Sequence, residues 1–247
     1  MTNLKTLLLA GVVAVIAVTA VRAGDYAKLN FIGFSKTGKH LAFEEYGVQD
    51  GSGFPYSNFY VVSVGTNSYA AGPFRVRLEN ETATEPQARA KARLAAAASL
   101  KKFGIIERNT GSLVVSRPFT DLSVRKLNDD ESKTSKINFA EWVDSMYTEG
   151  NYDLTLNLEE VKVKACEYEE LPVYKINLTL KDNKADTTSV LQKDSTLPAS
   201  RGCPTRYELQ YVYLYKDYIA VFIPYYTTGF EGPDLRYIVT TGKFKPF

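Results

Sequence analysis

Five carboxylates occur in two glycine-rich stretches, EEYGVQDGSGFPY near the N-terminus and GFEGPD near the C-terminus. Glu44, Glu45 and Asp50 belong to the first stretch, and Glu231 and Asp234 belong to the second. Two carboxylates about 5 to 10 Å apart can hydrolyse a glycosidic bond, one as general acid and the other as base or nucleophile. Clustered acids and loop carbonyls can instead bind Ca²⁺ through about six to eight oxygens.

Aromatic residues in the same stretches suggest binding without catalysis. Tyr46, Phe54 and Tyr56 in the first stretch and Tyr225, Tyr226 and Phe230 around the second can line a sugar- or peptide-binding surface with acidic tips. The candidate ligand-binding residues are Glu44, Glu45, Tyr46, Asp50, Tyr56, Glu231, Asp234 and Arg236.

A structural interpretation of these residues is favoured over all three functions. Asp50-Gly51 and Gly53 suit the positive φ angles of tight turns, while Pro55 and Pro233 fix the loop backbone. The Asp-x-Asp-x-Asp-Gly pattern of a calcium loop is absent. We therefore expect no metal and no cofactor.

Several other chemistries are excluded by composition. His40 is the only histidine, so no site of two or more histidines can form, and no Gly-x-Ser-x-Gly nucleophile elbow is present. Gly51-Ser52-Gly53 lacks the third glycine and the strand–helix context of a dinucleotide site, and there is no P-loop. We interpret His40 as an ordinary strand residue.

The first 23 residues have the pattern of a secretory signal peptide. Lys5 precedes an apolar run over residues 7–21, and Val21-Arg22-Ala23 ends in a small residue suited to cleavage. This run is shorter than the roughly 20 residues of a spanning helix. An uncleaved anchor and cleavage after Ala20 remain as alternatives. We expect a periplasmic or secreted protein without a stable membrane anchor after cleavage.

The remaining chain, residues 24–247, is predicted to form one β-rich domain. Loss of Lys5 and Arg22 leaves 28 basic and 28 acidic residues, so a nucleic-acid partner is not expected. The two cysteines, Cys166 and Cys203, are predicted to form a disulfide because the chain is exported. A free catalytic thiol is the less favoured alternative.

Most of this domain has the pattern of antiparallel strands. Period-two alternation or β-branched runs predict strands at residues 41–43, 59–64, 113–115, 152–158, 161–165, 173–180, 207–215 and 218–223. One long helix is predicted at about residues 85–103. Thr84 and Gln87 form its capping box, and Gly104 with Ile105 and Leu100 forms a Schellman motif. Its basic residues suit a solvated face better than acidic lipid headgroups; they are Arg89, Lys91, Arg93, Lys101 and Lys102.

The two ends of the domain share a weak internal similarity. Residues 34–62 and 214–239 each contain a turn, a strand, a Gly-Phe loop and a second strand. The hypothesis is that they form similar β-units, as neighbours in one sheet, and a shared β-rich composition is the alternative explanation.

The segment FSKTGKHLAF followed by FYVVSV resembles one blade of TolB-like β-propellers. A propeller needs about four or more blades, so we do not expect a complete one. FEEYGVQDGSGFPY, residues 43–56, and GFEGPDLRY, residues 229–237, resemble an uncharacterised family of predicted secreted bacterial proteins. This resemblance implies export and no particular activity.

We therefore expect an exported, mainly β (α+β) protein that acts as a binding or scaffold module rather than as an enzyme. The alternative is an extracytoplasmic hydrolase of cell-wall or carbohydrate material that uses the loop carboxylates. In an enzyme, two of the five acids should line an open cleft. In a binding or structural module, the acids should bond backbone N–H groups or basic residues.

Overall fold

The computed structural model describes residues 24–118, 133–142, 148–230 and 232–244, so the predicted signal peptide and Glu231 lie outside it. The described strands are β1 (Lys28–Phe34), β2 (His40–Val48), β3 (Pro55–Ser63), β4 (Ser68–Arg77), β5 (Ser112–Ser116), β6 (Thr134–Trp142), β7 (Thr148–Glu160), β8 (Tyr174–Asp182), β9 (Thr187–Lys193), β10 (Pro204–Tyr207), β11 (Tyr211–Tyr215), β12 (Tyr218–Thr228) and β13 (Pro233–Lys243). Helix α1 spans Glu85–Lys102.

The strands form three antiparallel sheets. The N-terminal sheet has the order β1-β2-β3-β4, and the outer sheet has the order β6-β7-β8-β9. In the central sheet, β13 pairs with the whole of one edge of β12, and β11 and β10 share its other edge. Strand β5 pairs with the free edge of β11. Within the described residues these sheets are open and form no propeller, which confirms the predicted fold class.

The central sheet is buried on both faces. Along β12, Ile219, Val221 and Ile223 pack in a core with the outer sheet, whereas Ala220 and Phe222 pack in a core with the N-terminal sheet. This is the period-two alternation of a strand with a core on each side. Helix α1 covers the far face of the N-terminal sheet, so the layers run helix, sheet, sheet, sheet.

The helix has the predicted ends. Gln87 Oε1 accepts the Thr84 N–H at 2.9 Å, which is half of the capping box. Gly104 has φ of 62°, and Ile105 N–H donates to Leu100 O at 3.0 Å, as in a Schellman motif. Alanines 88, 92 and 96 are fully buried, which brings the helix close to the sheet. No helix in the described part is long and apolar enough to cross a membrane.

The predicted disulfide between Cys166 and Cys203 is present, and the segment before Cys166 is not the strand that was predicted there. The two Cα atoms are 5.7 Å apart. Residues 161–165, whose alternation predicted a strand, instead form a loop and a 3₁₀ turn (Lys164–Cys166). Val161 and Val163 pack around the disulfide, so this alternation serves a small local core and not a sheet.

The two similar ends both form three-stranded antiparallel meanders, β1-β2-β3 and β11-β12-β13. They belong to different sheets, so the hypothesis that they are neighbours in one sheet is wrong. Instead they face each other through the core that contains Phe43 and Phe222, whose rings are 5.6 Å apart.

Candidate functional site

The two glutamates of the N-terminal motif lie inside strand β2, not in the loop that the sequence suggested. The strand continues to Val48, and only residues 49–54 connect it to β3. Because neighbouring strand residues point to opposite faces, Glu44 faces helix α1 while Glu45 faces the central sheet. Both are buried, with 1% and 3% of their surface exposed, so they do not form a catalytic pair in a cleft.

Glu44 connects β2 to three other elements, β1, β3 and helix α1. Its Oε1 accepts hydrogen bonds from Ser57 Oγ and Arg89 Nε, and its Oε2 accepts from Asn30 Nδ2 and Arg89 Nη2, all at 2.9 Å. The Arg89 guanidinium lies 3.8 Å from the centre of the Tyr46 ring, a cation–π contact. The predicted residues Glu44 and Tyr46 therefore attach the helix to the sheet.

Glu45 joins the N-terminal sheet to the central sheet. It accepts hydrogen bonds from Tyr60 Oη at 2.7 Å, Asn58 Nδ2 at 3.1 Å and the Tyr237 backbone N–H at 3.0 Å. Burial, and after it the Glu45 charge, raises the pKa of Tyr60, so this hydroxyl remains a donor.

Asp25 is the central acid of this region, although it is not among the predicted site residues. Its carboxylate accepts a hydrogen bond from Tyr56 Oη at 2.8 Å and forms an ion pair with Arg236. Its backbone N–H donates to Asp234 Oδ1 at 3.0 Å, and its carbonyl accepts the Leu235 N–H. No motif marks Asp25, because it is a lone acid just after the predicted cleavage point.

The loops that follow β2 and β12 come together beside Asp25. Burial raises the pKa of Asp234, and the nearby charges of Asp25 and Asp50 contribute to this rise. Asp50 Oδ1 accepts the Gly51 N–H, whereas its Oδ2 has no partner among the described residues. The structure thus brings together Asp25, Tyr56, Asp234 and Arg236, with Asp50 beside them.

Metal ligands and the lone histidine are the next features of the described residues to consider. Within the described ranges, no group of three or more histidine, cysteine, aspartate or glutamate side chains could hold a metal ion. His40 begins β2 and lies against Phe103, with 4.7 Å between ring centres. Burial, and then the Lys39 charge, lowers its pKa, which favours the neutral imidazole.

Exposed apolar residues surround this buried network. Phe230 is 88% exposed, and Val48 and Tyr26 are about half exposed. They lie near the loops, at what we call the loop end (residues 24–26, 48–54, 229–230 and 232–234). Val48 and Phe230 belong to the two sequence motifs, and Phe230 is one of the aromatics predicted to line a binding surface, whereas no motif indicates Tyr26.

Comparison with known proteins identifies a family. A family model described as "Predicted secreted protein (DUF2259)" matches residues 42–243, from within β2 to the end of β13. No curated protein and no solved structure matches the chain. The family description agrees with a periplasmic or secreted location. Because the match covers most of the chain, the protein belongs to the DUF2259 family of predicted secreted proteins.

Proposed function

We propose that the protein is a non-enzymatic binding or scaffold module of the extracytoplasmic space. The observation that supports this proposal is the engagement of the motif carboxylates in the fold. Glu44 bonds Arg89, Glu45 bonds the Tyr237 N–H, and Asp234 bonds the Asp25 N–H. Carboxylates that perform acid–base catalysis need access to substrate, and these two glutamates are almost fully buried.

The loop end is the binding surface in this proposal. The network of Asp25, Tyr56 and Arg236 holds the N-terminal segment against β13 and fixes the frame beneath the loops. Phe230 projects from this frame with 88% of its surface exposed. An exposed aromatic on a rigid base can bury a large area on binding at a small entropic cost.

A cross-linking experiment tests the binding function. A photo-cross-linking amino acid is placed at residue 230 of the exported protein in its native host, and a matched one at exposed Lys184 on the β8–β9 turn. We expect a discrete cross-linked species at residue 230 and none at residue 184. Equal labelling at both positions, or none at residue 230, would contradict a binding surface at the loop end.

A turnover experiment tests the hydrolase alternative. The purified protein is incubated with peptidoglycan and with polysaccharides, and soluble products are measured. We expect no turnover. Turnover that Glu45→Gln or Asp234→Asn abolishes, while the folded circular-dichroism spectrum is retained, would overturn the proposal and establish the hydrolase.

A further inference from the structure

Three turns meet at the end of the protein opposite the loop end. Ser35, in the β1–β2 turn, forms a β-bridge with Ile105, just after helix α1. On its other side this turn contacts the β11–β12 turn, because Tyr215 Oη donates to Lys36 O at 3.3 Å. We call the surface formed by residues 35–40, 101–108 and 215–218 the basic end.

Six exposed cations lie on the basic end, and none forms an ion pair within the described part of the chain. They are Lys36, Lys39, Lys101, Lys102, Arg108 and Lys216. Two acids lie among them. Glu107 pairs with Arg93 of the helix, which leaves Asp217 as the acid without a described ion pair. The basic end therefore has a large excess of positive charge.

This excess is a local feature and not a property of the whole chain. After removal of residues 1–23, the chain has 28 basic and 28 acidic residues. Elsewhere many cations are neutralised: Arg89 pairs with Glu44, Arg201 with Asp194 and Arg236 with Asp25. A concentration of unpaired cations within a neutral chain produces a field that attracts polyanions.

Exposed apolar residues accompany the cations. Ile106, 45% exposed, lies between the helix end and Arg108, and Leu94, 77% exposed, lies two turns before Lys101 on the same helix face. Apolar side chains that enter the headgroup region, with cations beside them, are typical of protein surfaces that bind the bilayer interface. A soluble polyanion would use the cations and leave the apolar residues unused.

We propose that the basic end docks the protein on the surface of an anionic phospholipid bilayer, in contrast to the solvated face that the helix sequence alone favours for Lys101 and Lys102. The cations contact the lipid phosphates, and Ile106 enters the headgroup layer. Strand β12 separates the two ends by about 35 Å, given the usual rise per residue. The loop end would therefore remain free for a partner while the basic end faces the bilayer. This inference does not depend on the loop end being a binding surface.

Vesicle sedimentation tests the docking. The disulfide-bonded chain beginning at residue 24 is mixed at low salt with vesicles of equal parts phosphatidylglycerol and phosphatidylcholine, and with vesicles of phosphatidylcholine alone. We expect binding to the anionic vesicles only. The triple variant Lys101→Gln, Lys102→Gln and Lys216→Gln should bind roughly 100-fold more weakly, about fivefold per cation.

A charge-matched variant is the control. Arg117, Lys162 and Lys164 are exposed cations without described ion pairs that lie outside the basic end, and their replacement by glutamine removes the same charge. This variant should bind within about twofold of the wild type. An equal loss of binding in both variants would overturn the proposal, because binding would then depend on net charge alone. Failure of the wild-type protein to bind anionic vesicles at low salt would also overturn it.

Inorganic polyphosphate separates lipid docking from general polyanion binding. Ile106→Ser should weaken vesicle binding several-fold and leave polyphosphate binding unchanged. If the wild-type protein binds polyphosphate but not vesicles, or if Ile106→Ser has no effect on vesicle binding, the bilayer is the wrong partner. None of these measurements involves Phe230, so their failure would leave the proposed function intact.

Discussion

Arg89 of helix α1 donates two hydrogen bonds to the carboxylate of Glu44 in β2, with both N–O distances at 2.9 Å. The Glu44 side chain is 2% exposed, and Arg89 is one third exposed. Only alanines 88, 92 and 96 of the helix are fully buried, so its apolar contact with the sheet is thin. This bidentate pair therefore supplies an attachment that the small side chains of the helix cannot.

Arg89→Ala should destabilise the fold by about 2 to 3 kcal/mol in chemical denaturation. The substitution leaves the buried Glu44 carboxylate with only Asn30 and Ser57 as hydrogen-bond donors. Because Arg89 is partly exposed, the expected loss of stability is slightly smaller than for a fully buried ion pair. Arg93→Ala is the matched control on the same helix, because its pair with Glu107 is about half exposed. It should cost less than about 1 kcal/mol. Equal losses would show that Glu44 does not hold the helix.

Asp25→Ala should cost about 3 kcal/mol, because it removes the carboxylate that pairs with the mostly buried Arg236 guanidinium and accepts a hydrogen bond from the Tyr56 hydroxyl, while Arg236 keeps the backbone carbonyls of residues 25 and 235 as acceptors. It should also release residues 24–27 from the edge of β13, which hydrogen exchange at the Ala27 and Leu235 amides measures. Asp50→Ala is the control, since its described contact is the adjacent Gly51 N–H. The free energy of unfolding of Asp50→Ala should differ from that of the wild type by less than about 1 kcal/mol. Unchanged exchange at Ala27 in Asp25→Ala would contradict this role.

Local features were predictable from the sequence. The helix was predicted correctly because Thr84, Gln87 and Gly104 lie within a turn of the ends that they specify. The disulfide was predictable because exported proteins form disulfides and the two cysteines of this chain allow only one pairing. Period-two alternation located β7 and β8, which have one buried and one solvated face.

The polar network was not predictable because its partners are distant in sequence. Glu45 meets Tyr237 across 192 residues, and Asp25 meets Arg236 across 211. Strand β2 was cut short at Phe43 because Glu44 and Glu45 have a polar pattern, although both are buried. A strand covered on both faces loses its simple alternation. Only with the strand extended to Val48 do Glu44 and Glu45 fall on opposite faces, since neighbouring strand residues cannot share a face.

Reduction of the disulfide should lower stability by roughly 3 to 4 kcal/mol, because the bond closes a loop over a sequence separation of 37 residues. The loss is measured as a shift of the denaturation midpoint on adding a phosphine reductant. The double variant Cys166→Ala and Cys203→Ala should start from the lower stability and show no response to the reductant. A wild-type protein that keeps its midpoint after complete reduction would contradict this prediction.

Alkaline unfolding should be steep between about pH 10 and pH 12, because seven tyrosines are buried among the described residues and burial raises the pKa of six of them. Burial raises the pKa of Tyr207 from 10.0 to about 12, and it also raises the pKa of Tyr56, Tyr60, Tyr225, Tyr226 and Tyr237. Since the folded pKa values are the higher ones, the folded chain retains protons that the unfolded chain releases above pH 10. Stability is therefore complete below pH 10 and falls as the pH rises, by about 1.4 kcal/mol per pH unit for each retained proton.

For six tyrosines this slope approaches about 8 kcal/mol per pH unit, so a stability of about 5 to 15 kcal/mol disappears within one to two units. The circular-dichroism signal and the part of the tyrosinate absorbance that comes from the buried tyrosines should then change together. Tyr225→Phe removes one buried ionisable hydroxyl and should reduce the slope by about 1.4 kcal/mol per pH unit. Tyr168→Phe, at a residue that is 75% exposed, is the control and should leave the slope unchanged. Tyrosinate absorbance beyond the contribution of the exposed tyrosines, well before any loss of the folded signal, would show that these six hydroxyls are accessible to solvent in the native protein.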